Sequence, residues 1–427
     1  MASRGTDAGA VGMDDASLSL SRLLEPEVRR DPYPFYRRLR EAAPVHWDES
    51  AAGGGGAWVL TRHADVMALL RDPRMSATRI GPPPGEEWLP EEYRAAARQV
   101  FRAMPHQLLF LDPPDHTRLR GLVNKAFTPR LVEGMRPRIH ARVEALLDDV
   151  FERGQMEVIA ELAYPLPAIV IAELLGVPAE DRPRFIKWSS DFGAFLDGSS
   201  LTLQEAMQAL VGVAEFMDYF RAIIAARQDA PRDDLLQALL AAREREDVLS
   251  EDELLANLVL VLAAGHGTTT HLIGNGLLAL LRQPQEFARL VHEPELAGTA
   301  TQELLRFDSP VQVTGRTARE DLTLGGTDVK AGKHVTVILG AANRDPAVFH
   351  DPDQIDLARQ ENRLMSFGFG IHFCLGAPLA RVEAEEVFGA VARRLPDLRL
   401  DFAAGTAPDW EPSVVFRGLH ELPVAWG

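Results

Sequence analysis

The chain has 427 residues, 46% of them apolar and 25% charged, a composition ordinary for a soluble globular protein with a sizeable core. Its 45 Lys+Arg stand against 62 Asp+Glu, and a net charge of −17 argues against a general binder of nucleic acid or anionic membrane. One cysteine, Cys374, excludes an internal disulfide and a cysteine-rich zinc site, so any role it has is that of a single thiol or thiolate. Residues 1–20 lack the basic start and apolar run of an export signal. They read as a disordered Ala/Gly/Asp tail before one domain, 21–427, and the expected location is the cytoplasm. The length alone would suggest about three domains, but no stretch looks like an interdomain linker.

Helical patterns dominate: 32–43, 62–72, 115–125, 130–153, 167–175, 203–227, 232–245, 251–283, 285–292, 298–308 and 377–395. Strand-like segments are few and short: 44–48, 57–60, 311–317, 322–324 and 334–338. The expected class is mainly α with a minor β part. Residues 74–111 are rich in turn formers (GPPPGEEWLP), and 191–202 reads as an interruption between helices. Long irregular segments of this kind often serve as lids or ligand loops.

The pattern at 251–283 is unusually long. Ser250 and Glu253 form a capping-box spacing and Pro284 ends it; at 1.5 Å per residue it would run roughly 50 Å. Its most apolar run, Leu254 to Ala264, is interrupted by Asn257 and is too short to span a membrane. The centre reads Ala264-Gly265-His266-Gly267-Thr268-Thr269-Thr270-His271. Two glycines and three β-branched residues cost an isolated helix about 2 kcal/mol or more. Either the helix is opened there for a ligand, or the glycines let a neighbouring helix approach.

The sharpest segment is 367–376, Phe367-Gly368-Phe369-Gly370-Ile371-His372-Phe373-Cys374-Leu375-Gly376. Its glycines permit positive φ and close approach to a flat ligand. Cys374 opens a helical pattern with Pro378 in the first turn, and a helix N-terminus pushes a thiol toward thiolate. A held, solitary thiolate is a good axial ligand for haem iron. A dinucleotide loop would need G-x-G-x-x-G, and Phe373 stands at the last position.

These ten residues resemble the cysteine-loop signature of the cytochrome P450 family, F-G-x-G-x-H-x-C-x-G, with all six fixed letters present. The resemblance extends from about Asp31 to Val424. It implies a single-domain fold with haem b held between the long central helix and the helix after the cysteine loop. Cys374 is the implied iron ligand, with Gly368 and Gly376 shaping its loop. Glu303 and Arg306 match the family's E-x-x-R, at a spacing that places them on one helix face, and Arg359 stands where the family completes that cluster. His116, Arg120, Arg316 and His372 match positions that contact the haem propionates, a role suited to cations that bind carboxylates.

In the family, the long helix carries A-G-x-(D/E)-T, whose acid–alcohol pair delivers protons to the oxygen being activated. Ala264, Gly265 and Thr268 match, but the acidic position is Gly267. Water or a substrate hydroxyl could carry the protons, or His266 or another residue could substitute. The third alternative is chemistry that needs less proton delivery: peroxide use, oxidative coupling, rearrangement or desaturation.

The chain has no flavin motif and no iron–sulfur cysteines, so electrons are expected from a ferredoxin and its ferredoxin reductase. Residues 116–142 hold seven Lys/Arg (118, 120, 125, 130, 136, 138 and 142) and one acid, Glu133, a basic stretch suited to an acidic ferredoxin. The pocket is expected to be lined by 74–111, 185–215, the helix near His266, Val311–Thr314 and Val414–Val415. The expected function is insertion of one oxygen atom from O2 into an apolar small molecule, such as a secondary-metabolite polyketide or terpenoid, by a monomer that binds neither nucleic acid nor membrane. A haem-thiolate sensor that never turns over is the rival from another class.

Overall fold

The computed structural model describes residues 15–78, 89–197, 202–229, 234–243 and 249–427. Among these, the helices of nine residues or more are α1 (Tyr33–Ala42), α2 (His63–Arg71), α3 (Glu91–Ala103), α4 (Asp115–Ala126), α5 (Pro129–Phe151), α6 (Pro165–Leu174), α7 (Arg182–Asp197), α8 (Leu203–Asp229), α9 (Leu235–Arg243), α10 (Glu251–Leu281), α11 (Pro284–His292), α12 (Ala297–Phe307) and α13 (Ala377–Arg394). The strands are β1 (Val45–Asp48), β2 (Ala57–Leu60), β3 (Met75–Ser76), β4 (Gln155–Glu157), β5 (Val313–Ala318), β6 (Leu322–Leu324), β7 (Thr327–Val329), β8 (His334–Ile338), β9 (Arg399–Leu400) and β10 (Pro423–Ala425).

A five-stranded sheet in the order β1-β2-β8-β5-β3 lies beside the helical body, with small sheets β4-β10-β9 and β6-β7. Its β2–β8 pair is parallel and its other pairs antiparallel. β3, β4, β7, β9 and β10 were not expected; at two or three residues each they are too short for a period-2 pattern to show.

The helix α10 is the axis of the body, packing against α6, α7, α8, α12 and α13. Its start follows from sequence: the Ser250 hydroxyl accepts from Glu253 N while the Glu253 carboxylate accepts from Ser250 N, a complete capping box. The glycines that permit close packing lie late in it. A Cβ at Gly274 would stand 2.6 Å from Ile159, and one at Gly276 would stand 2.5 Å from Phe388 of α13.

Three expectations are corrected. Residues 15–20 are not tail. They form short helical turns at Asp15–Leu18 and from Leu20, with Leu18 and Leu20 buried beside Tyr36 and Leu39. Leu20 N donates to Asp48 Oδ2, tying the turn to β1. Within 74–111, residues 91–103 are helical: Glu91 and Glu92 favour the N-terminal end, Arg102 the C-terminal end, and Ala97, Val100 and Ala103 bury one face. Residues 191–197 continue α7, whose Phe185, Trp188 and Phe192 recur at helical spacing and are buried; Phe185 and Trp188 pack on Phe216 of α8. The remainder of those two expected segments at 79–88 and 198–201, like residues 1–14, lies outside the described residues.

Candidate functional site

The cysteine segment is shaped by backbone geometry. Gly368 and Gly370 take φ of +68° and +73°, a region that disfavours side chains. A Cβ at Gly370 would stand 2.5 Å from the Leu70 carbonyl oxygen, so the loop lies directly on the end of α2. Cys374 N donates to Phe367 O at 2.9 Å and closes the loop. Behind it, Asn343 Nδ2 donates to Ser309 Oγ and Ser366 Oγ, and Met365 N donates to Asn343 Oδ1.

The thiol corrects one expectation. Backbone N–H groups of Gly376 and Ala377 and the Arg120 and Arg381 guanidiniums favour the thiolate, as a helix N-terminus should, yet burial outweighs them and pushes the Cys374 thiol up. The protein alone disfavours the thiolate. A coordinating metal cation deprotonates a thiol outright, and this donor set fits that need.

The cationic residues gather beside the loop. His116 and His372 have ring centroids 4.2 Å apart. Arg120 Nη2 donates to Phe373 O at 2.8 Å. Burial lowers the His116 pKa, and Arg120 and Arg316 lower it further. Arg316 is 5% exposed and donates to the Gly315 carbonyl; desolvation pushes its pKa down to about 10. Asp112, the nearby carboxylate, is committed elsewhere, accepting from Ser76, Ala77 N, Thr78 and Arg319. His116 Nε2 is buried without a hydrogen-bond partner. Buried Arg316, half-buried Arg120 and the unsatisfied, buried His116 Nε2, with Asp112 committed elsewhere, suit an external anion. The propionates of the haem that the resemblance implies meet that requirement.

The E-x-x-R cluster forms as expected. Arg306 makes a two-pronged bond to Glu303 (2.7 and 2.8 Å), and Arg359 Nε reaches the same carboxylate at 3.0 Å. Both members of the first pair are fully buried. Arg306 also donates to the carbonyls of Asn343, Pro352 and Gln354, so it knits the chain leading to the cysteine loop.

Across from this frame, α10 is unbroken through its weak centre. Ala264, Gly265, Gly267, Thr268 and His271 are incompletely buried, whereas Leu262, Ala263, His266, Thr269, Thr270, Leu272 and Ile273 are buried. A Cβ at Gly267 would meet nothing within 4 Å, and one at Gly265 would touch Ile171 at an ordinary 3.5 Å. So open space, not tight helix contact, accompanies the missing acid. Thr268 Oγ1 donates to Ala264 O at 2.8 Å. His266 is on the other face. Its Nε2 faces the Tyr164 carbonyl, which can only accept, so Nδ1 accepts from Ser189 Oγ. Burial holds it neutral, with a pKa of about 4. It neither lines the open stripe nor substitutes for an acid at 267.

Sequence reasoning missed Glu383 on α13. It is 1% exposed, its Oε2 has no partner, and burial raises its pKa strongly, so it is a neutral acid in the core. A Glu less than two turns into α13, on an otherwise apolar face, was the available signal. The basic stretch is also reduced. Arg136 pairs with Glu133, Glu385 and Glu386, Arg142 with Glu173, and Arg118 with Glu253. Lys125, Arg130 and Arg138 remain exposed.

The Cytochrome P450 family model matches residues 95–396. Cytochrome P450 CYP107DY1 of Priestia megaterium is 41% identical over 403 residues, covering 93% of this chain and 97% of that protein. The polyketide biosynthesis cytochrome P450 PksS of Bacillus subtilis is 40% identical over 405 residues, covering 93% and 96%. The solved structure of P450BioI in complex with a hexadec-9Z-enoic acid-ligated acyl carrier protein has a TM-score of 0.86 at 35% identity, covering 94% of this chain and 99% of that one.

Proposed function

The chain belongs to the cytochrome P450 family, and we propose that it inserts one oxygen atom into an apolar, polyketide-like or fatty-acyl small molecule, with the residues above in the roles given below. It is a monooxygenase, an oxidoreductase of a family that binds haem with a cysteine thiolate on the iron, and Cys374 is the chain's one cysteine. These relatives set aside the sensor that never turns over. No described helix is long and apolar enough to cross a membrane.

When bound, the haem supplies the activation of dioxygen, using two electrons from a partner protein. This chain's residues do the rest. Cys374 would ligate the iron, in a loop whose form Gly368 and Gly370 permit; Gly376, expected to shape it too, has an ordinary helical φ of −78°. Arg120, Arg316, His116 and His372 hold the propionates. Thr268 presents its hydroxyl on the open stripe beside Gly267, and the neutral acid Glu383 keeps a proton in the core on α13. Lys125, Arg130 and Arg138 form the surface offered to an acidic ferredoxin, narrower than the seven-residue stretch. The substrate class is supported by the apolar, incompletely buried residues Leu260, Val261, Val311, Val414 and Val415 and by the names of PksS and of the acyl-loaded P450BioI complex.

The observation that carries the reading is the buried, unsatisfied His116 Nε2 with buried Arg316 and half-buried Arg120, beside the only cysteine. The test is a compound screen for the substrate-induced shift of the haem absorption band, followed by product mass with ferredoxin and reductase. Gain of one oxygen supports the proposal. Loss of two hydrogens overturns it in favour of coupling or desaturation, the reading that Gly267 favours.

A further inference from the structure

The open stripe of α10 ends on a histidine. Ala264, Gly267, Thr268 and His271 stand at i, i+3, i+4 and i+7, which is one face of a helix. His271 is one turn beyond the space at Gly267 and on the same side. Its imidazole lies against Gly418, where a Cβ would stand 1.9 Å from Nδ1. Its Nε2 is 3.6 Å from Glu411 Oε2, and the two side chains are 12% and 36% exposed. The Phe416 ring is 6.5 Å away. No hydrogen bond to either His271 ring nitrogen occurs among the described residues. The contrast with His266, whose two ring nitrogens are both engaged on the opposite face, is complete.

We propose that His271, replenished through Glu411, is the proton entrance of the cleft, in place of the acid that the family carries at position 267. This rests on the monooxygenase reading. Insertion of one oxygen atom of O2, with the other leaving as water, consumes two electrons and two protons. The electrons come from the partner protein. For each proton, the imidazolium gives one N–H proton to water in the space beside Gly267, and the neutral ring takes its replacement from bulk solvent by way of the Glu411 carboxylate. No bond other than N–H and O–H is made or broken at this pair.

The charges around the ring fix the sign of its pH dependence. Burial lowers the His271 pKa below 6.5, Glu411 opposes that, and His420 adds to the lowering. His266 on the same helix is neutral, and burial together with Glu411 and Asp191 raises the Tyr164 pKa, so it too carries no charge near neutrality. The imidazolium fraction therefore rises as pH falls from 8 to 6, and delivery of protons rises with it.

The experiment uses the full-length holoenzyme with a tight-binding substrate, reading product formed per NADPH between pH 6 and 8. Wild type should couple better as pH falls. His271→Asn should couple at least threefold less and lose the pH slope, and adding Gly267→Glu to it should restore coupling. His271→Asn that couples like wild type at every pH overturns the proposal, as does a lowered coupling that keeps the wild-type slope, the mark of a structural role. An independent arm labels histidine with 13C and 15N and titrates the ferrous carbon-monoxide form by NMR. One resonance, absent in His271→Asn, should titrate below 6.5 and move lower in Glu411→Gln. A His271 that does not titrate, or that ignores Glu411→Gln, overturns the proposal. A wild type that makes no oxygenated product overturns the monooxygenase reading instead, while the titration still decides the His271–Glu411 pair.

Discussion

The cysteine side and the long-helix side of the site are built on different terms. The cysteine side combines backbone turns, a cluster built on the fully buried Glu303–Arg306 pair, and the neighbouring side chains of His116, Arg120, Arg316 and His372. Removing Glu303 or Arg306 leaves a fully buried charge stranded. On the long-helix side, the backbone is an ordinary helix, and the chemistry hangs on single side chains facing open space. Position 267 can vary at its first side-chain atom without disturbing a neighbour, because a Cβ there would meet nothing within 4 Å. The binding half of such a site is held by packing; the proton-handling half is free to vary.

The largest effect should come from Cys374→Ala, which removes the sulfur outright. The thiolate-type band of the reduced carbon-monoxide complex should vanish, with turnover lost; a variant that keeps the band would break the comparison at its root. Glu303→Gln comes next. Breaking one partner of a buried pair costs about 3–5 kcal/mol, so urea unfolding should shift by that amount while the long helix stays native in sequence. Arg316→Gln removes a charged hydrogen bond worth about 1.5–3 kcal/mol. Haem transfer to apomyoglobin should accelerate about 10- to 100-fold, without change in the unfolding of the haem-free protein comparable to Glu303→Gln.

Smaller still is Lys125→Glu with Arg130→Glu. Reduction by an acidic ferredoxin should slow several-fold at low salt and lose its salt dependence; Arg118 is a poor choice because its charge is spent on Glu253. The smallest is Gly267→Glu. With helix φ and ψ and nothing within 4 Å, it should stabilise the fold by about 0.5 kcal/mol through helix propensity and raise coupling. If it destabilises the fold instead, the long-helix side is as constrained as the cysteine side and the comparison fails.

Much of this was legible in sequence where a fixed pattern met a strong local rule. The capping box at Ser250, the Glu303–Arg306 spacing and the ten-residue cysteine segment all formed as read. The helix at 91–103 was hidden by the prolines and glycines just before it, although its own residues are good helix formers. The short strands and the ordered turn at 15–20 owe their form to distant partners: Leu20 N to Asp48 is a contact across 28 residues. The state of the thiol was misjudged because a helix N-terminus is visible in sequence and burial is not. The sequence leaves His266 open as a proton carrier, and only the side it faces excludes it. His271, seven residues after Ala264, shares instead the open face of Ala264, Gly267 and Thr268, and the distinction needed the burial pattern of the whole helix.

The Arg118–Glu253 pair has a consequence at a distance. Glu253 belongs at once to the cap of α10 and, through Arg118, to α4, and α4 also carries Lys125 on the outer surface. This pair therefore ties the first turn of the long helix to the helix that carries Lys125, and a donor docking there and an occupant of the cleft would be linked to the extent that the pair responds to either. Two sites joined in this way obey thermodynamic reciprocity. By whatever factor an occupant of the cleft changes the donor's affinity, the donor changes the occupant's by the same factor. The two titrations, done in either order, must close on one coupling free energy.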